Sequence, residues 1–70
     1  MNNILAAKVL MSHLPEITDG AYKTATEIAI ETLFTDALFD WKHMKTELTK
    51  LEYLGITQKE YDYWLKGIRK

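Results

Sequence analysis

Residues 21–54 contain neither glycine nor proline, and apolar or aromatic residues recur there at Tyr22, Ala25, Ala29, Leu33, Ala37, Trp41, Met44, Leu48 and Leu51. Each step is three or four, so their mean lies near the 3.6 residues of an α-helical turn. The spacing predicts one helical stripe that keeps its phase throughout. Ile28, Ile30, Phe34, Leu38 and Phe39 widen the first half, which predicts burial on two faces. Beyond Trp41 the stripe narrows to about one residue per turn. A helix running unbroken from Asp19 to Leu54 would be roughly 50 Å long, against a diameter of roughly 30 Å for a compact chain of this size. Either the helix breaks near residues 39–41, with Asp40 as a new N-cap, or a second copy covers the overhang. The unbroken phase favours continuity, and with it a homodimer.

The rest of the chain frames this stretch. Asn2 or Asn3 can cap a first helix, since Asn accepts hydrogen bonds from the free N–H groups of a first turn. Ile4, Ala7, Met11 and Leu14 form its apolar face, broadened by Leu5, Val9 and Leu10, which predicts a mostly buried helix. Pro15 disfavours helical geometry at Leu14, so this helix should end near His13. Residues 15–20 then form the expected single loop, with Thr18 or Asp19 capping the second helix. A Thr18 cap would place Ile17 and Tyr22 as a hydrophobic staple.

Residues 54–61 form the best-specified corner. Gly55 can take the left-handed conformation that ends a helix, bringing Ile56 towards Leu51. Thr57 with Glu60 forms a capping box, and Ile56 with Tyr61 a staple, for a last helix from Gln58 to about Lys66. Tyr61, Trp64, Leu65 and Ile68 should face inward, with Lys66, Arg69 and Lys70 at the negative end of the helix dipole. The expected fold is all-α: one domain over residues 1–70, a bundle of three to four helices built on one long central helix.

Seventy residues without cysteine leave no disulfide and no thiolate chemistry, so an apolar core near the lower size limit must hold the fold. The net charge of −1 hides an asymmetry. Residues 1–41 carry two lysines against six carboxylates, a net −4, and residues 42–70 carry seven cations against four carboxylates, a net +3. No apolar run approaches the roughly 18–20 residues that span a bilayer, and the apolar N-terminus lacks a basic leader region. No membrane partner and a cytoplasmic location are expected.

Catalytic signals are weak. The three glycines stand apart, which excludes a glycine-rich phosphate loop, and no serine or threonine sits beside a histidine in a nucleophile motif. No enzymatic activity, cofactor or small-molecule substrate is expected. Asp36, Asp40, His43 and Glu47 have metal-ligand spacing at i, i+4, i+7 and i+11, and Asp40 with His43 mimics a carboxylate-x-x-His pair. Carboxylate-bridged sites draw ligands from several helices, so a solvated acidic face is expected here instead of a metal. Glu27 and Glu31 extend that face, and His13 at a helix end is expected as a favourable terminal charge.

The run Leu54-Gly-Ile-Thr-Gln-Lys-Glu-Tyr-Asp-Tyr-Trp-Leu-Lys-Gly67 resembles the turn and second helix of phage-repressor-type helix-turn-helix domains. The resemblance covers about a quarter of the chain. It implies that Thr57, Gln58, Lys59, Asp62, Tyr63 and Lys66 would face a DNA major groove. Tyr53, Tyr61, Tyr63 and Trp64 with nearby cations also suit stacking on nucleic acid. The chain departs from the pattern at Lys50 and Leu51, and Glu60 and Asp62 would bring negative charge towards phosphates. A helix-turn-helix DNA-binding regulator is therefore the alternative function.

The leading expectation is a non-enzymatic helical binding protein acting through protein contacts. Its predicted surface is the acidic face of Glu27, Glu31, Asp36, Asp40 and Glu47, with a protein partner that includes a second copy. A free-standing chain of this size also looks like the small accessory proteins of phages and mobile elements, which inhibit or redirect host machinery by occupying a surface.

Overall fold

A computed structural model describes residues 2–65, which form four α-helices and no strand. Helix α1 spans Asn3–His13, capped by the Asn2 side chain, whose Oδ1 accepts the Leu5 N–H at 2.7 Å. Leu14–Glu16 tighten into a 3₁₀ turn around Pro15, as the residue before a proline resists continuing the α-helix. Helix α2 spans Gly20–His43, and its cap is Asp19, whose Oδ1 accepts the Tyr22 N–H at 2.8 Å. Because Asp19 and not Thr18 is the cap, the Ile17–Tyr22 staple has the wrong register, and Tyr22 is exposed.

The expected continuity to Leu54 does not hold. Met44 leaves helical space at φ −93° and ψ 148°, residues 44–49 form a second loop, and helix α3 begins afresh at Lys50–Leu54. The break lies past Asp40, and Thr49 restarts the helix beyond it. The Thr49 hydroxyl accepts the Glu52 N–H at 3.2 Å, while Glu52 Oε1 accepts the Thr49 N–H at 3.1 Å. This capping box starts a new helix inside what reads as one periodic stripe. The Trp41 indole N–H donates to the Leu48 carbonyl at 2.8 Å and ties the loop back onto α2. Alone, α2 is roughly 36 Å long, within the 41 Å longest dimension of the molecule. Its C-terminal part is covered by α3 of the same chain, which removes the physical premise for a second copy.

The same hydrogen bonds hold the Glu52 carboxyl below its ordinary value of 4.5, chiefly through the Thr49 backbone N–H and then through its hydroxyl. A depressed carboxyl adds stability that is present above the unfolded pKa and lost as pH falls through the folded value. Melting temperatures should therefore decline less steeply below about pH 4.5 in Glu52→Gln than in the natural chain. Parallel acid profiles would show that the cap is not formed in solution.

Ala7, Ile30, Phe34, Ala37 and Leu38 form the core with Leu54, Ile56, Tyr61, Trp64 and Leu65. The buried line of α2 is thus Thr26, Ile30, Phe34, Ala37 and Leu38, rotated from the expected stripe. Tyr22, Ala25, Met44 and Leu48 are exposed, as are Ile28 and Phe39, so α2 is buried on one face and not two. Thr26 is satisfied by donating its hydroxyl to the Tyr22 carbonyl at 2.8 Å. In α1 only Ala7 is fully buried, and Leu5 and Val9 face solvent, because α1 has a single neighbouring layer to pack against.

The corner forms as its residues predict. Gly55 has φ 68° and ψ 36°, and the Gly55 and Ile56 N–H groups both reach the Leu51 carbonyl, at 2.8 and 3.3 Å. Thr57 and Glu60 exchange capping hydrogen bonds at 3.1 and 2.9 Å to start helix α4 at Gln58–Trp64. The Lys50 ammonium sits 4.4 Å from the centre of the Tyr61 ring, a cation–π contact that explains how a lysine occupies a half-buried site. The expected inward Ile68 and the cations Lys66, Arg69 and Lys70 lie outside the described residues.

Helices α1, α3 and α4 pack on the same side of α2. The thinnest dimension of 18 Å accordingly matches two helix layers of roughly 10 Å each. Among the described residues, nothing packs over the other side of α2.

Candidate functional site: the bare side of α2

Along the uncovered side, Ile28, Thr32, Thr35 and Phe39 follow one another at i, i+4, i+7 and i+11. Ile28 is 57% exposed and Phe39 62% exposed, so both large apolar side chains of this line stand mostly in water. The Thr32 hydroxyl donates to the Ile28 carbonyl at 2.9 Å, and the Thr35 hydroxyl to the Glu31 carbonyl at 2.7 Å. Both polar groups are thus engaged within the helix, so the spine between the two apolar ends is narrow and undemanding. The His43 ring packs against Phe39 at a centroid separation of 4.4 Å.

Carboxylates flank this spine. At 100° per residue, Glu31 and Asp36 stand roughly 140° apart with Thr35 and Thr32 between them. Together these four residues line a shallow groove of about 290 Å³. Asp40 continues the Asp36 side one turn further on. None of the three makes an ion pair among the described residues, where the pair found is His13 with Glu16 at 3.6 Å.

The expected single acidic face is corrected by this geometry. Glu27 and Asp36 are nine residues apart and therefore lie on roughly opposite sides of the helix. Glu27 turns towards α4, where the Tyr63 hydroxyl donates to its Oε2 at 3.4 Å. There it borders a groove of about 360 Å³ with Met11, Leu14, Lys23, Tyr63 and Trp64. Glu47 lies in loop 44–49, off the helix altogether. The four-residue metal-spaced stripe is broken for the same reason, and among the described residues no three His, Asp or Glu side chains gather closely enough to hold a metal ion.

At the α3–α4 corner, the side chains expected to face DNA are largely engaged within the fold. Thr57 is held in its capping box, Gln58 Nε2 donates to Asp62 Oδ1 at 2.9 Å, and Tyr63 is bonded to Glu27. Tyr63 also meets the Trp64 ring edge-on at 4.7 Å. Lys59 is exposed, and Lys66 lies outside the described residues. Tyr61 and Trp64 are core, Tyr53 is half-buried and Tyr63 exposed, so these four aromatic residues form no continuous stacking platform.

Ile28 and Phe39 are the site residues that sequence reasoning assigned to the core. Their signal is legible in the sequence: Thr26, Ile30, Phe34, Ala37 and Leu38 complete a buried stripe without them, leaving a second stripe interrupted by hydroxyls.

The described residues define a small all-α bundle with one uncovered helix face, and none of their helices is long and apolar enough to cross a membrane. No protein-family model, curated protein or solved structure matches the chain.

Proposed function

We propose that this chain is a non-enzymatic binding protein that regulates a protein partner by occupying its surface with the bare side of α2. The observation that carries the reading is the alignment of exposed Ile28 and Phe39 on one spine, flanked by carboxylates that make no ion pair among the described residues. Apolar area left facing water in the middle of a long helix gains free energy once a partner covers it. A cytoplasmic accessory role of the phage or mobile-element type goes with this reading.

The test is capture of a partner from a lysate of the cells that make the protein. Ile28→Asp with Phe39→Asp should abolish capture at unchanged helicity, because neither side chain contributes to the core. Leu5→Asp, equally exposed on α1, should leave capture intact. Undiminished capture by the double variant would overturn the assignment.

The second reading is a helix-turn-helix DNA-binding regulator, favoured by the Gly55 corner and the Thr57–Glu60 cap between α3 and α4. It requires duplex affinity that falls steeply with salt, since each neutralised phosphate releases condensed counterions, and that weakens in Lys59→Ala.

A further inference from the structure

We infer that the bare side of α2 receives a basic amphipathic helix, with Ile28 and Phe39 as the apolar contacts and Glu31, Asp36 and Asp40 as the flanking charges. This rests on the protein-binding reading above and names the chemistry of the partner. An antiparallel second copy of α2, with its two-fold axis between Thr32 and Thr35, provides a comparison. It would set Ile28 of one copy against Phe39 of the other, which suits apolar contact. The same register turns each flank towards its own counterpart: Glu27 approaches Lys42 on one side, while Asp36 and Asp40 face the other copy's Asp36 flank, which carries no lysine or arginine. A self-complementary interface is therefore disfavoured on the Asp36–Asp40 flank, where a second copy offers no cation.

A helix with apolar residues at i, i+4, i+7 and i+11 and Lys or Arg beside them has the opposite property. Its apolar side chains cover the spine, and its cations reach Glu31 on one flank and Asp36 and Asp40 on the other. The threonines between the apolar ends are small, and their hydroxyls are already bonded to α2 carbonyls. A partner helix can therefore approach closely without leaving a polar group unsatisfied. Flanking charges of this kind set orientation and partner choice while the apolar spine supplies the contact.

The test uses three synthetic peptides of about 20 residues with one helical apolar stripe: one flanked by lysines, one by glutamates, and one with the lysine sequence scrambled. Binding to the full chain is followed by fluorescence anisotropy and by backbone amide shifts in NMR. The lysine peptide should bind at least about tenfold more tightly than the glutamate peptide, as expected for three partly exposed charge pairs. Its shifts should centre on Ile28, Thr32, Thr35 and Phe39. The Glu31→Lys, Asp36→Lys, Asp40→Lys variant should reverse the preference while keeping its helicity. Equal affinities, shifts centred on the Leu14–Trp64 groove, no binding of the lysine peptide, or a dimer in light scattering that Ile28→Asp dissolves would each overturn the inference. If the peptides fail while partner capture still depends on Ile28 and Phe39, the protein-binding reading stands and the basic helix alone is refuted. If capture is also insensitive to those residues, both fall.

Discussion

Phe34→Ala should unfold the protein or bring it close to unfolding. Phe34 is fully buried midway along α2, in the core that Ile30, Ala37, Leu38 and Leu54 share. Deleting a buried phenyl ring forfeits its transfer free energy and leaves a cavity, at a typical cost of about 3–5 kcal/mol. At about 0.05–0.15 kcal/mol per residue, a chain of this length has a total stability of roughly 3.5–10 kcal/mol. The loss is thus a large share of what holds the chain together. Without a disulfide, no covalent link retains the fold once the core loosens. The matching control is Phe39→Ala, which removes the same ring from the exposed side of the same helix and should change stability by no more than about 0.5 kcal/mol. Urea titrations followed by circular dichroism distinguish the two. A Phe34→Ala midpoint close to that of Phe39→Ala would mean that α2 is rotated relative to its described packing.

Gly55→Val is expected to have the next largest effect. At φ 68° a side chain meets the following carbonyl, which costs about 1–2 kcal/mol for an L-residue and more when it is β-branched. A second contribution is smaller than the distance suggests. A Cβ on Gly55 would lie 2.5 Å from the Lys8 ammonium nitrogen, but that atom is the far end of a flexible side chain and can swing away. The backbone term should therefore dominate, and Gly55→Asn, which tolerates the left-handed region better, should recover part of the loss. Gly20→Ala offers the contrast: its φ is not in that region and nothing lies within 4 Å of a new Cβ, so no destabilisation is expected. Equal melting temperatures for Gly55→Val and the natural chain would place the end of α3 elsewhere.

Local signals in this sequence are read correctly where the cause is local. Asn2, Pro15, Gly55 and the Thr57–Glu60 box each act within a few residues through hydrogen bonds or sterics, and each marks a helix boundary where it is expected. The misread boundary was also encoded locally. Thr49-Lys-Leu-Glu52 carries the same capping signature as Thr57-Gln-Lys-Glu60, but the periodic apolar stripe around it suggested an uninterrupted helix. That periodicity survives the break because Leu51 and Leu54 face the core from α3, as Ala37 and Trp41 do from α2.

Burial was less legible. Ile28 and Phe39 are as apolar as Ile30 and Phe34, and which pair is covered depends on where α1, α3 and α4 dock, a tertiary fact with no local marker. The candidate site lies in that unmarked part. A continuous stripe would gather the charges on one face, whereas helical rotation sets Glu27 and Asp36 on roughly opposite sides. Folding back at residue 44 places Glu47 off the helix.

The indole hydrogen bond from Trp41 to the Leu48 carbonyl gives the chain two tryptophans in different settings, one half-buried at the joint between α2 and α3 and one buried in the core at residue 64. Their emission reports on different events. Release of loop 44–49 would shift Trp41 towards the red while Trp64 stayed dark to solvent, and collapse of the core would shift both. Optical melts of single-tryptophan versions thereby separate fraying of one joint from cooperative loss of the whole bundle.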